Sequence, residues 1–169
     1  NPFSVLNVFD GYKFENYWFQ TGTPTFLVKM LMDSNYDLRT LIDGVEANAA
    51  SFNEYRAESR NPIPLIYQSG YLTIKEYDPR FKTYQLAFPN DEVRYGFMNF
   101  LLPFYSNIPD NEQDFYIGKF VHELESGNIN AFLTRLQAFF ADIPYELNDQ
   151  TGRHYQTVFY LIFKLMGQL

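Results

Sequence analysis

Catalysis needs nucleophiles, paired titratable groups or metal ligands, and this chain carries few of them at useful spacing. It has no Cys, which removes disulfides, thiolate metal sites and a Cys nucleophile. The run His122-Glu123-Leu124-Glu125-Ser126 begins like the helical zinc motif His-Glu-x-x-His, but Ser126 stands where the second His belongs. With two His in the whole chain, His122 reads as an ordinary surface residue rather than a zinc ligand. Thr21-Gly22-Thr23-Pro24 opens a helical pattern and offers backbone donors to an anion, yet it lacks the spacing and the Lys-Ser/Thr of a P-loop, so a plain N-cap is the reading. No Gly-x-Ser-x-Gly elbow is present, and Asp142, Glu146 and Asp149 read as solvated loop acids. The remaining chemistry is binding. Lys75, Arg80 and Lys82, with Arg94 nearby, are candidate nucleic-acid contacts; Tyr71, Tyr77 or Phe81 would stack on bases. Glu76 and Asp78 dilute that charge.

The elements that position these residues lie between Pro62 and Tyr105. A short apolar segment, Ile63 to Gln68, leads to Gly70. Two strand-like runs follow, Tyr71 to Tyr77 and Thr83 to Phe88. In the first run Leu72, Ile74 and Glu76 alternate with Tyr71, Thr73, Lys75 and Tyr77, which predicts one mainly apolar face. Pro79 suits the connection between the strands because it fixes φ and cannot donate to a ladder. Asn90 is placed to cap a helix whose first turn holds Asp91 and Glu92. Val93, Phe97, Phe100, Leu101 and Phe104 share a face of that helix, and Pro103 predicts a kink or an early end. Helix, hairpin, helix is a wing-like unit.

The chain has 169 residues, enough for one domain or two small ones, and a chain this size buries roughly 70% of its unfolded surface. Aromatic residues make up 20% of it, which favours large packed contacts. The formal net charge of −7 makes the chain as a whole a poor non-specific ligand for nucleic acid. No apolar run reaches the roughly 20 residues of a membrane span. The absence of Cys fits a reducing compartment, and a cytoplasmic location is expected. The first residue is Asn1 rather than Met, as in a processed product or an excised piece.

Elsewhere, Pro2 to Phe9 reads as a short helix closed by Asp10-Gly11. Thr23-Pro24 starts a second, with Phe26, Leu27, Met30 and Leu31 as its stripe. Tyr12 to Phe19, with Trp18, is aromatic and irregular. Leu38 to Tyr55 has weaker patterning: Leu38, Leu41, Ile42 and Val45 are candidates to face a core, Ala47 to Glu54 has helix formers with little hydrophobic drive, and the segment is read as peripheral. A boundary is expected at Ser106 to Asn111. Three helices follow. The first runs from about Asp110 to Ser126 and stops at Gly127. The second starts at Asn128 with Ile129, Phe132, Leu133, Leu136, Phe139 and Phe140 as its stripe. The third runs from about Thr151 to Met166.

That last helix is apolar on most sides. Tyr155, Val158, Phe159, Ile162, Phe163 and Met166 form one face, while Tyr160, Leu161 and Leu165 cover much of the other. Such a helix is buried on more than one side. Two preceding helices cover one side, so the second is expected to meet a segment following Leu169, a second copy of the chain, or the wing unit folded back.

Several stretches together resemble one family. They are Asn1-Pro2-Phe3-Ser4, the run from Tyr17-Trp18-Phe19-Gln20 to Phe26-Leu27, the run from Leu65-Ile66-Tyr67-Gln68-Ser69-Gly70 to Lys75, Phe88-Pro89-Asn90-Asp91-Glu92-Val93, and Tyr155-Gln156 with Phe159-Tyr160-Leu161-Ile162-Phe163. The chain resembles the AAA-ATPase-like proteins, common in gut Bacteroidetes, that carry a C-terminal PD-(D/E)XK nuclease-like domain. The resemblance implies that Walker motifs lie upstream and nuclease motifs downstream of a segment like this one. ATP and Mg are then expected only for the upstream module. No catalytic, cofactor-binding or metal residue carries over. Family members have a Glu shortly before the Tyr-Gln pair, and Gly152-Arg153-His154 stands in that place here.

The expected fold is mainly α with a small β-hairpin: a winged-helix-like unit followed by a three-helix segment. Residues 1–107 would form the lid part of an ATPase-like module and 108–169 a helical linker into a nuclease-like domain. The expected role is a non-catalytic connecting segment, with a winged-helix-type DNA- or protein-binding module as the alternative. Expected partners are the flanking modules, DNA through the wing, and a second copy through the last helix; no membrane is expected.

Overall fold

The computed structural model describes residues 2–12, 25–34, 36–53, 61–106, 108–143 and 152–167. Trp18 with its neighbours, the Thr21-Gly22-Thr23-Pro24 stretch, Glu146 and Asp149 lie outside the described residues. The elements are α1 (Pro2–Gly11), α2 (Thr25–Asp33), α3 (Leu38–Asp43), β1 (Val45–Asn48), α4 (Ala49–Asn53), α5 (Ile63–Gln68), β2 (Thr73–Asp78), β3 (Thr83–Ala87), α6 (Asp91–Ser106), a 3-10 turn (Asp110–Glu112), α7 (Gln113–Glu125), α8 (Ile129–Ala141) and α9 (Arg153–Met166). The fold is mainly α with a small antiparallel sheet. The chain divides into two compact units, Asn1–Phe97 and Met98–Leu169, and the division falls inside α6.

In the first unit the sheet has three strands in the order β1-β3-β2. Helix, strand, two short helices and a hairpin in that order, with the first strand beside the last, form a winged-helix-like arrangement. Leu38, Leu41, Ile42 and Val45 face the core as their pattern allowed, but β1 and the inward-turned Ala47 correct the reading of this segment as peripheral. Leu38, Leu41, Ile42, Val45 and Ala47 are all buried, and β1 pairs with β3 from Val45↔Leu86 to Asn48↔Thr83. The segment has a sparse apolar pattern because alternation over four residues leaves only two inward positions.

The β2–β3 pairing contains a second correction. Ile74 pairs with Leu86, but Glu76 pairs with Gln85, so Lys75 is an extra residue at a bulge. Beyond it the faces exchange: Tyr77 joins Tyr84 on the side of Ile74 and Leu86, and Glu76 turns the other way. An aromatic row results. Tyr77 lies 4.7 Å from Tyr84, Tyr84 lies 5.2 Å from Phe52 of α4, and Phe52 lies 4.8 Å from Tyr67 of α5.

Asx side chains open the helices by accepting backbone donors: Asp37 from Arg39 N, Asn48 from Ser51 N, Asn90 from Val93 N and Asn128 from Ala131 N. Asn61 accepts from Ile63 N in the same way. α6 continues through Pro103 to Ser106 rather than ending early. Phe100 and Phe104, assigned to its apolar stripe from the sequence, are half-buried, whereas Met98, Leu102 and Tyr105 are buried. In α2 it is Val28, not Phe26, that turns inward with Leu27 and Leu31.

The second unit is helical. α7 packs against both α8 and α9. Phe120 meets Phe132 at 5.7 Å and Phe139 at 6.0 Å, and Tyr105 of α6 stacks on His154 of α9 at 5.7 Å. Gly127 ends α7 at φ +71, where a left-handed residue reverses the chain before Asn128.

Candidate interaction surfaces

Of the four cations singled out in the sequence, Lys75 is on β2, Arg80 and Lys82 are in the turn after it, and Arg94 is on α6. Lys75 donates from Nζ to the carbonyl of Pro89 at 2.9 Å. Arg80 lies over the ring of Phe81 at 5.1 Å. Arg94 pairs with Asp91 at 2.8 Å and donates to the Tyr95 hydroxyl at 3.1 Å. Lys82 is exposed in the turn with φ +55. Of the three aromatic candidates, Tyr71 is only 2% exposed and packs 5.1 Å from Phe97, so its ring is core and no base reaches it. Tyr77 and Phe81 are exposed.

The outward face of the sheet is acidic. The register aligns Glu46, Gln85 and Glu76 across the three strands, followed by Asn48, Thr83 and Asp78. Of these, Glu46, Gln85, Glu76, Thr83 and Asp78 border a depression of about 400 Å³, together with residues Tyr77 and Pro79 at its edge. A phosphate approaching this side meets three carboxylates, Glu46, Glu76 and Asp78, which oppose it. Asp78 also holds the turn, accepting from Arg80 N at 2.7 Å and Phe81 N at 3.2 Å. The other side of β2 carries two exposed apolar side chains, Ile74 and Tyr77, and Phe81 is exposed in the turn that follows.

In the helical unit Glu123 is buried and accepts on Oε1 from Arg135 Nε at 2.7 Å and Nη2 at 2.5 Å. Those hydrogen bonds, with the carboxylate charge, raise the Arg135 pKa further above its ordinary value. Arg135 also borders a groove of about 540 Å³ between α7 and α8 with Tyr116, Asn130, Thr134 and Asp142. Burial raises the Tyr105 hydroxyl well above its ordinary value, and burial with the Asp37 charge raises Tyr36. His122 sits exposed in the last turn of α7. Among the described residues no three His, Asp or Glu side chains come together as a metal set would require.

Helix α9 divides its apolar surface. His154, Thr157, Val158, Leu161, Ile162 and Leu165 are buried, whereas Phe159 and Phe163 are 44% and 39% exposed. On α8, Ile129 and Leu133 are 50% and 53% exposed. The expected stripe of α8 is therefore split: Phe132 and Phe139 face inward, while Ile129 and Leu133 face out.

No protein-family model matches the chain, and no solved structure matches it. The chain is similar to a protein from Azotobacter chroococcum mcd 1 described as "Uncharacterized protein in vnfD 5'region". The two are 32% identical over 177 aligned positions, which take in 99% of this chain and 33% of that protein. The chain thus spans about a third of the length of this curated relative. No helix among the described residues is long and apolar enough to cross a membrane.

Proposed function

We propose that this chain is a non-catalytic structural segment of a longer protein, in which a winged-helix-like unit and a helical unit connect flanking modules. By the family resemblance those modules are ATPase-like before it and nuclease-like after it. The observation that supports this reading is the alignment. Nearly the whole chain matches one third of a longer polypeptide, so both units occur there inside a larger whole. The polar side chains fit a scaffolding role: Asp37, Asn48, Asn90 and Asn128 cap helices, and Glu123 pairs with Arg135. The test is a steady-state assay of the purified chain with ATP and Mg, alongside a Mg-dependent DNA cleavage assay. Both are expected at the level of the buffer blank, and saturable turnover in either would overturn the reading.

A second reading, a wing that binds another protein, is favoured by the exposed Ile74 and Tyr77 on the side of β2 opposite its acidic face. Reversing Lys75, Arg80 and Lys82 to Glu separates it from DNA binding. Retention of duplex DNA by the unaltered chain, lost in the triple variant and with rising salt, would show a DNA-binding wing.

A further inference from the structure

Strand β2 is an edge of the sheet. In the order β1-β3-β2 it has one neighbour, and every residue from Ile74 to Asp78 is exposed. Among the described residues, no backbone group of Thr73–Asp78 hydrogen-bonds outside the ladder with β3. A strand in an antiparallel pair turns alternate N–H and C=O groups away from its neighbour, so this edge offers a row of donors and acceptors. The opposite edge, β1, has four residues, of which Val45 and Ala47 are buried.

The two faces beside the β2 edge differ. On one stand Glu76 and Asp78, with Glu46 two strands away. Glu76 and Glu46 have no hydrogen bond or ion pair among the described residues. Asp78 uses Oδ1 to hold the turn. The cations of the hairpin leave Glu76 unanswered: Lys75 is held by the Pro89 carbonyl, Arg80 lies over Phe81, and Lys82 is exposed in the turn beyond Asp78. On the other face Ile74 and Tyr77 are exposed. The bulge at Lys75 divides the edge into Thr73–Ile74 and Glu76–Asp78, which discourages indiscriminate strand pairing. A strand that docks there must gain from side chains as well as from backbone.

We propose that the open edge of β2 takes up an extended segment of a partner protein as a fourth strand. The segment carries Lys or Arg on the face of Glu76 and Asp78, and an apolar side chain on the face of Ile74 and Tyr77. Backbone hydrogen bonds supply the docking, and the alternating side chains supply the choice of partner. A cation opposite Glu76 gives that carboxylate the counter-charge it lacks in this chain. A second copy fits less well. Two β2 edges joined by a two-fold axis lie antiparallel and continue each face into its like, which brings the carboxylates of both copies onto one side. This inference rests on the reading of the wing as a protein-binding surface.

The probes are fluorescein-labelled peptides of about nine residues, a length that spans the edge. One alternates Lys and Val, one alternates Glu and Val, and one is the Lys–Val peptide N-methylated at its central residues. Binding to the full chain is read by fluorescence anisotropy at physiological salt. The Lys–Val peptide is expected to bind about fivefold tighter than the Glu–Val peptide or more. Glu76→Lys should remove that preference, whereas Glu125→Lys, the same charge change on an exposed position of α7, should leave it. N-methylation, which blocks the backbone donors, should weaken binding by about tenfold or more. Undetectable binding of the Lys–Val peptide, equal affinity for both charge types, or equal loss of preference in the two Lys variants overturns the proposal. So does an N-methylated peptide that binds as well as its parent. Sedimentation equilibrium showing a dimer broken by Glu76→Lys would assign the edge to a second copy and also overturn it. The wing reading falls separately, if the unaltered chain retains duplex DNA through Lys75, Arg80 and Lys82.

Discussion

Arg135 gives two donors to one oxygen of Glu123, and the second oxygen, Oε2, is buried with no hydrogen-bond partner among the described residues. Removing the guanidinium leaves a buried carboxylate without its counter-charge. Arg135→Ala is therefore expected to lower stability by about 1–2 kcal/mol in urea denaturation, less than a fully buried pair would cost because the arginine is partly solvated. Tyr105 makes a pH prediction. Its folded-state pKa is raised above the ordinary value of 10.0, so on unfolding above pH 10 the hydroxyl loses a proton that the folded state retains. The contribution is complete below pH 10 and disappears as pH rises through the folded value. Stability should fall progressively as pH rises above 10, and Tyr105→Phe should shrink that fall. At this scale the sequence identified titratable residues but not their neighbours. Lys75 and Arg94 were recognisable as cations, yet the Pro89 carbonyl and the Asp91 carboxylate that engage them became visible only in the fold.

The start of β1 depends on Gly44, which sits at φ +110 with Gln85 packed against it. A Cβ there would lie 2.8 Å from Gln85 Nε2 and 3.4 Å from the Leu86 carbonyl. Gly44→Ala should cost about 1–3 kcal/mol, measured as a lowered denaturation midpoint. The β2–β3 turn predicts the opposite sign. Lys82 holds φ +55, a conformation that disfavours a Cβ, so Lys82→Gly should stabilise the chain by about 0.5–1 kcal/mol. The hairpin, the Asn90 and Asn128 caps and the stop at Gly127 were legible because each depends on local chemistry. β1 was not legible, because its pairing partner is distant in sequence and Val45, Glu46, Ala47 and Asn48 have weak strand preference apart from Val45. The bulge at Lys75 was equally hidden: strict alternation placed Glu76 with Ile74, and only the register with β3 shows the exchange of faces.

Across the whole molecule, an acidic net charge and an acidic sheet face oppose polyanions. Mobility shift of labelled duplex DNA by the chain should be undetectable at micromolar protein in about 0.15 M salt, a condition that screens weak phosphate contacts. The last helix shows how far pattern reading reaches at this scale. Its greasy circumference was evident from Tyr155 to Met166, but the sector that stays open, centred on Phe159 and Phe163, depends on where α7 and α8 lie.

The strand order β1-β3-β2 also has a consequence in time. Translation runs from the N-terminal side, so Val45 and Ala47 leave the ribosome well before Leu86 and Tyr84, the residues they pair with. The hairpin of β2 and β3 closes quickly because its halves are neighbours, while β1 waits for the middle strand to be synthesised. During that interval Leu38, Leu41 and Ile42 lack the sheet that shelters them, so their apolar surface stays exposed until the middle strand arrives.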